Sequence, residues 1–322
     1  MTNGGWGKAS RARLPRASAP LISRDRDQFG VMELLARPDV RLLTMVGPPG
    51  AGKTRLALMT AESLVDTFRD GVWFVDLTPI RDPALVAQAI AAALDIADAS
   101  GGRLEDTLKR VLRARNALLI LDNFEQVLAA AGLVSHLLES CPQLKVLVTS
   151  RAPLHLSAEQ QFLVPPLDLP DLSAPMLHDE LKRNPAVALF TLRARAVNPT
   201  WELTLEEAMA VAELCVRLDG LPLAIELVAS WIVLMPARAI RRRLTHVLDL
   251  LIANSPDQAE RHLTLRSAIQ WSEDLLTPEQ QHLFRQLTVF AGGWTLDAAA
   301  AVCEQEGMST KLLDSRRSRI TI

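Results

Sequence analysis

Cysteine is scarce in this chain: Cys141, Cys215 and Cys303 are the three among 322 residues. An odd number at spacings that match no metal-ligand pattern excludes a disulfide framework or zinc module and leaves the thiols as packing residues. Long hydrophobic runs are missing too. The most apolar stretch, residues 221–235, is interrupted by Pro222, Glu226 and Ser230, and the N-terminus has no apolar secretory core, so neither a membrane span nor an exported protein is expected. Charge of one sign does not dominate: the formal net charge is −2, which removes any global pull toward nucleic acid. His136, His155, His178, His246, His262 and His282 are scattered without ligand spacing, and the six tryptophans form no stacking series. Tetratricopeptide-type repeats are absent. What remains is the expectation of a cytoplasmic protein with no membrane partner.

Hydrophobic residues make up 49% of the chain, enough for continuous cores, and the length suggests two or three domains. One segment is chemically specific. Gly47-Pro48-Pro49-Gly50-Ala51-Gly52-Lys53-Thr54 follows the apolar run 40–46 and opens a helix-forming stretch at Arg55. That order of strand, glycine loop and helix is a P-loop. Its backbone N–H groups can curl around phosphate oxygens, the helix N-terminus adds partial positive charge, Lys53 supplies a mobile ammonium, and the Thr54 hydroxyl can ligate Mg²⁺. The functional reading is a nucleoside triphosphate site; the plain alternative is a glycine-rich turn joining strand to helix.

From this loop onward strands and helices alternate, which predicts an α/β fold: a P-loop NTPase parallel sheet with helices on both faces. Residues 72–75 read as a strand, 83–94 and 104–112 as helices, and 117–121 as a fully buried strand ending at Asp122. Ligands of such sheets sit beyond the carboxyl ends of strands, so Asp122 is placed to hold Mg²⁺ beside Thr54. Otherwise it is a helix cap before Glu125. The next strand, 144–148, runs into Thr149-Ser150-Arg151, and two readings of Arg151 stand: a sensor of a terminal phosphate, or a surface arginine in a salt bridge. Residues 161–164 complete an expected five-stranded sheet.

Composition then changes. Pro165, Pro166, Pro170 and Pro175 mark a linker over 166–180, which closes a nucleotide-binding domain spanning 21–165. A helical domain follows over 181–245, with Asn184-Pro185 as cap and first turn and a stripe of Val211, Leu214, Cys215 and Leu218. Gly220 ends that helix as a left-handed cap and Pro222 opens another. The segment 246–322 reads as a partial winged-helix-like domain with an irregular end, and residues 1–20, with Lys8, Arg11, Arg13 and Arg16, as a disordered basic tail.

Taken in order, these stretches resemble a signal-transduction ATPase with numerous domains (STAND) of the NB-ARC type found in LuxR/AfsR-like bacterial transcriptional regulators. The resemblance covers about residues 20–305. It rests on Leu21 to Arg26, the P-loop with Arg55-Leu56-Ala57, Leu119 to Glu125, Thr149-Ser150-Arg151, and Gly220-Leu221-Pro222-Leu223-Ala224-Ile225-Glu226-Leu227. Residues 265–272 and 283–293 resemble the start of the family's winged helix. The resemblance implies a switch: ADP keeps the protein closed, exchange for ATP opens it and allows self-association, and hydrolysis resets it. It also implies that Arg24 lies near the nucleotide, that Pro222 packs against it, and that Arg151 occupies the first sensor position.

Three features depart from the pattern. Asn123 stands where many P-loop ATPases carry a second acid, so slow hydrolysis is expected, with Glu125 as the nearest alternative base or simply the start of a helix. Ser23 replaces the usual glycine before Arg24. After Cys303 the pattern is lost, which reads as a truncation. The resulting expectation is an ATP/ADP-dependent switch module of a regulator, with DNA contacted only through domains not evident here. Two competing readings are an AAA-type or other P-loop enzyme acting on nucleic acid or a small phosphate acceptor, and a DNA-binding protein using Arg238, Arg241, Arg242 and Arg243.

Overall fold

The structure is a computed structural model that describes residues 12–15, 22–96, 104–173, 178–252, 281, 282 and 286, with side chains described up to 244 in the last helix. Two compact units divide the chain, Met1–Arg242 and Arg243–Ile322. In the second, residues 243–252 are helical. The remainder of the winged-helix-like segment expected over 246–322 lies outside the described residues.

The first unit is built on one parallel sheet. Its strands are β1 (Ala12–Arg13), β2 (Leu42–Val46), β3 (Val72–Asp76), β4 (Ala117–Asp122), β5 (Leu144–Ser150) and β6 (Glu159–Leu163), in the spatial order β1-β3-β4-β5-β2-β6. Every pairing is parallel. The sheet therefore has six strands rather than the expected five. The extra one is Ala12–Arg13, which pairs with Val72 and Trp73 from inside the segment expected to be a disordered tail.

Full burial on both faces explains the unbroken apolar runs of the central strands, since β4 is buried at all six positions. Side chains alternate between two cores. Leu119 and Leu121 join one with α3 (Val86–Ala93), α4 (Leu104–Leu112) and α5 (Ala131–Ser140). Leu118 and Ile120 join the other with α1 (Asp25–Ala36) and α2 (Lys53–Leu64). A 3₁₀ turn, Pro83–Leu85, capped by Asp82 on Ala84 N–H, forms the start of the expected helix over 83–94.

Beyond β6 the chain passes through 164–173 without a regular element and enters a set of helices: α6 (His178–Arg183), α7 (Pro185–Val197), α8 (Leu205–Arg217), α9 (Pro222–Ser230) and α10 (Ala237–Ile252). Asn184 caps α7 through Ala186 and Val187 N–H, with Pro185 in the first turn, as the sequence predicts. Gly220 ends the segment after α8 at φ +64°, and its carbonyl accepts from Leu167 N–H at 2.9 Å, tying the exit from β6 to the corner before α9. Cys141 and Cys215 are both buried thiols, and desolvation pushes the Cys215 pKa far up.

Candidate functional site

The strand order decides where the site falls. β5 lies between β2, which leads into the glycine loop, and β4, which ends at Asp122. Register pairs Val46 with Ser150 and Leu121 with Val148, so the carboxyl ends of the three strands are level. Thr149 is thus delivered to Asp122, which also meets Thr54.

These three side chains form one hydrogen-bonded cluster. Thr54 Oγ1 donates to Asp122, 2.8 Å from Oδ1 and 3.1 Å from Oδ2, and Thr149 Oγ1 donates to Oδ1 at 2.5 Å. Asn123 N–H in turn donates to Thr149 Oγ1 at 2.9 Å. Burial raises the Asp122 pKa from its ordinary value, and the hydroxyls of Thr149 and Thr54 oppose that shift. A buried carboxylate beside a hydroxyl is a pair of hard oxygen donors, which fits Mg²⁺. Asn123 has φ +66°, a left-handed conformation that Asn adopts more readily than most residues.

The glycine loop closes on itself through Lys53. Its ammonium donates to Gly47 O at 2.8 Å and Pro48 O at 3.0 Å. Burial lowers the Lys53 pKa, and the charge of Glu125 opposes that shift. A cleft of about 300 Å³ lies over the loop, lined by Pro49, Gly50, Gly52, Lys53, Thr54 and Arg55, by Asn123, Glu125, Thr149 and Arg151, and by Pro222, Leu223 and Glu226. Glu125 and Arg151 meet there: Arg151 Nε donates to Glu125 Oε1 at 2.9 Å. Arginine in a salt bridge and arginine in the cleft are here the same residue.

The helical side of the cleft comes from α9. Leu223 N–H donates to Gly50 O at 3.2 Å, and Pro222 stands beside it at the first helical position. One turn on, Glu226 Oε1 accepts from Arg55 Nη1 at 2.7 Å and from Arg193 Nη2 of α7 at 2.9 Å. Sequence reasoning missed Glu226, Leu223, Thr149 and Arg193 as parts of this site. Glu226, Leu223 and Thr149 stand within motifs given above, but their partners are distant in the chain, Arg55 lying 171 residues from Glu226, beyond any local signal.

Arg24 reaches the glycine loop through the loop's backbone. It is 5% exposed and bonded to Asp27 at 2.6 Å, Ala51 O at 3.2 Å and Pro165 O at 2.6 Å, and it is not among the cleft-lining residues. Its guanidinium holds the loop through Ala51 O. Ser23, where the resemblance expects glycine, sits at φ +51°.

A parallel sheet with helices on both faces, a glycine loop after β2 and a buried acid at the end of β4 define a P-loop NTPase fold, and residues 39–158 match the family described as AAA domain. An AAA-type P-loop ATPase fold implies nucleotide binding. The chain is 36% identical over 282 residues to the uncharacterized protein Rv0894 of Mycobacterium tuberculosis, covering 87% of this chain and 68% of that protein, and it belongs to the same family. It is 40% identical over 263 residues to the "Putative HTH-type transcriptional regulator Rv0890c" of the same organism, covering 81% of this chain but 28% of that protein. The chain thus spans little more than a quarter of that relative's length. A solved STAND protein with a tetratricopeptide repeat sensor, from Pyrococcus horikoshii, is 13% identical with a TM-score of 0.44, over 94% of this chain and 50% of that one. No helix among the described residues is long and apolar enough to cross a membrane.

Proposed function

We propose that this chain is the nucleotide-dependent switch module of a transcriptional regulator, of the STAND and NB-ARC type, taking ATP and ADP with Mg²⁺. One observation carries the reading: the cleft over the glycine loop is lined from both sides, by the loop and strand ends and by the first turns of α9. A ligand seated there touches the α/β part and the helical part together, so its identity can bias how they are joined. A two-state shift from 1:99 to 99:1 needs about a 10⁴-fold preference of the triphosphate for one state, and a terminal phosphate contact is the difference that ATP offers over ADP.

The residues divide the work by chemistry. Backbone N–H groups of Gly50 to Lys53 and the Lys53 ammonium would bind phosphate oxygens. Thr54 and Asp122 would hold Mg²⁺, which when bound neutralises phosphate charge. Thr149 orients Asp122 by its hydroxyl. Glu125 is the carboxylate available to take a proton from water, and its engagement by Arg151 supports slow turnover. Pro222 would pack on the nucleotide from α9, and Arg24 would act through Ala51.

The test is limited proteolysis of the segment 164–177, between β6 and α6, with ADP and with a non-hydrolysable ATP analogue. A switch gives different cleavage rates for the two nucleotides. Equal rates with both nucleotides bound contradict it. Turnover that rises severalfold with added DNA would instead favour an AAA-type enzyme acting on nucleic acid.

A further inference from the structure

The Glu125 and Arg151 pair is not a symmetric surface salt bridge. Glu125 is 12% exposed and Arg151 53% exposed. One Glu125 oxygen accepts from Arg151 Nε, while the other, Oε2, is buried without a hydrogen-bond partner among the described residues. Both residues line the cleft with Lys53 and Thr54. An incompletely satisfied carboxylate therefore stands in the same cleft as the Lys53 ammonium, bonded to a guanidinium whose planar fork suits a terminal phosphate.

With Nε bonded to Glu125, Arg151 offers a terminal phosphate only its Nη groups and a charge the carboxylate already partly balances. Its Nε bond to Glu125 fixes the plane of the guanidinium, and a phosphate with three terminal oxygens draws the same planar fork into a bidentate contact. We propose that Glu125 is a specificity-determining residue: it competes with the terminal phosphate for Arg151 and so weakens triphosphate binding relative to diphosphate. This deepens the switch reading and rests on it. The pair biases the site toward ADP until ATP is abundant enough to displace Glu125 from Arg151.

A double-mutant cycle tests this. Calorimetric affinities for ADP and for a non-hydrolysable ATP analogue, both with Mg²⁺, are measured for wild type, Glu125→Gln, Arg151→Gln and the double variant. Gln keeps the shape of Glu125, and thermal unfolding checks that each variant is folded. In Glu125→Gln the analogue should tighten about threefold more than ADP, the scale of a partly exposed ion pair. In the Arg151→Gln background the same substitution should change the ratio by less than half as much. Equal tightening of both nucleotides in Glu125→Gln, or a selective gain that persists without Arg151, overturns the competition. Failure of the wild type to bind either nucleotide overturns the switch reading itself, so the two failures are distinct.

Discussion

Gly50 carries the contact between the glycine loop and α9, and its replacement measures what that contact contributes. Its φ is +77°, and a Cβ built there meets Leu223 Cβ at 2.9 Å. Gly52 is the control: its φ is +92°, but an added Cβ finds nothing within 4 Å. Both Gly→Ala changes pay for a left-handed alanine, about 1–2 kcal/mol, partly offset by a less flexible unfolded chain. Gly50→Ala adds overpacking of about 1–3 kcal/mol, because Leu223 must retreat from a carbon it meets nearly 1 Å inside the usual contact distance. The retreat also strains the 3.2 Å bond from Leu223 N–H to Gly50 O, itself about 1 kcal/mol. Urea unfolding of nucleotide-free protein should show Gly52→Ala costing about 1 kcal/mol and Gly50→Ala about 2–4 kcal/mol. In a Leu223→Gly background the excess for Gly50 should vanish. Equal losses at the two glycines, or an excess that survives removal of the Leu223 side chain, would refute the contact.

Other expected outcomes follow from the same geometry. Thr149→Val removes the hydroxyl that joins Asp122 to Asn123 N–H, and chemical denaturation should register a loss of about 1–3 kcal/mol. Asp122 has a raised pKa in the folded state, so its stabilising contribution is full below the ordinary carboxylate pKa and disappears as pH rises through the elevated value. Asp122→Asn should accordingly stabilise the Mg²⁺-free protein near pH 7, with a gain over wild type that shrinks on acidification. Arg24→Ala leaves Asp27 without its partner and Ala51 O without a donor, and should lower stability by about 2–4 kcal/mol in a melting experiment.

Much of the architecture was legible because its signals are local. The run 117–121 is apolar at every position because β4 is buried on both faces, and the glycine loop is punctuated by residues that fix its shape. Asn184-Pro185 and Gly220 marked helix ends through chemistry confined to a few residues. What escaped was non-local or conformational. Ala12–Arg13 adds to the sheet with two residues in a segment rich in arginine and proline, where no alternation can be read. The left-handed backbone of Asn123 has no signal in the sequence. Glu226, Arg55 and Arg193 lie on three helices, and nothing in their spacing says that one carboxylate oxygen serves two guanidinium groups. Arg24 was expected near the nucleotide from a linear motif, and its bonds to Asp27, Ala51 O and Pro165 O, the last 141 residues away, are not written in that motif.

The central claim is that the loop from Gly47 to Thr54 captures the phosphates of a nucleotide, and titration calorimetry with ADP and Mg²⁺ on the wild type and Lys53→Ala tests it most directly. Saturable binding by the wild type, lost in a variant that still unfolds cooperatively, is the expected result. Undiminished affinity without the Lys53 ammonium, or no binding by the wild type, would contradict it.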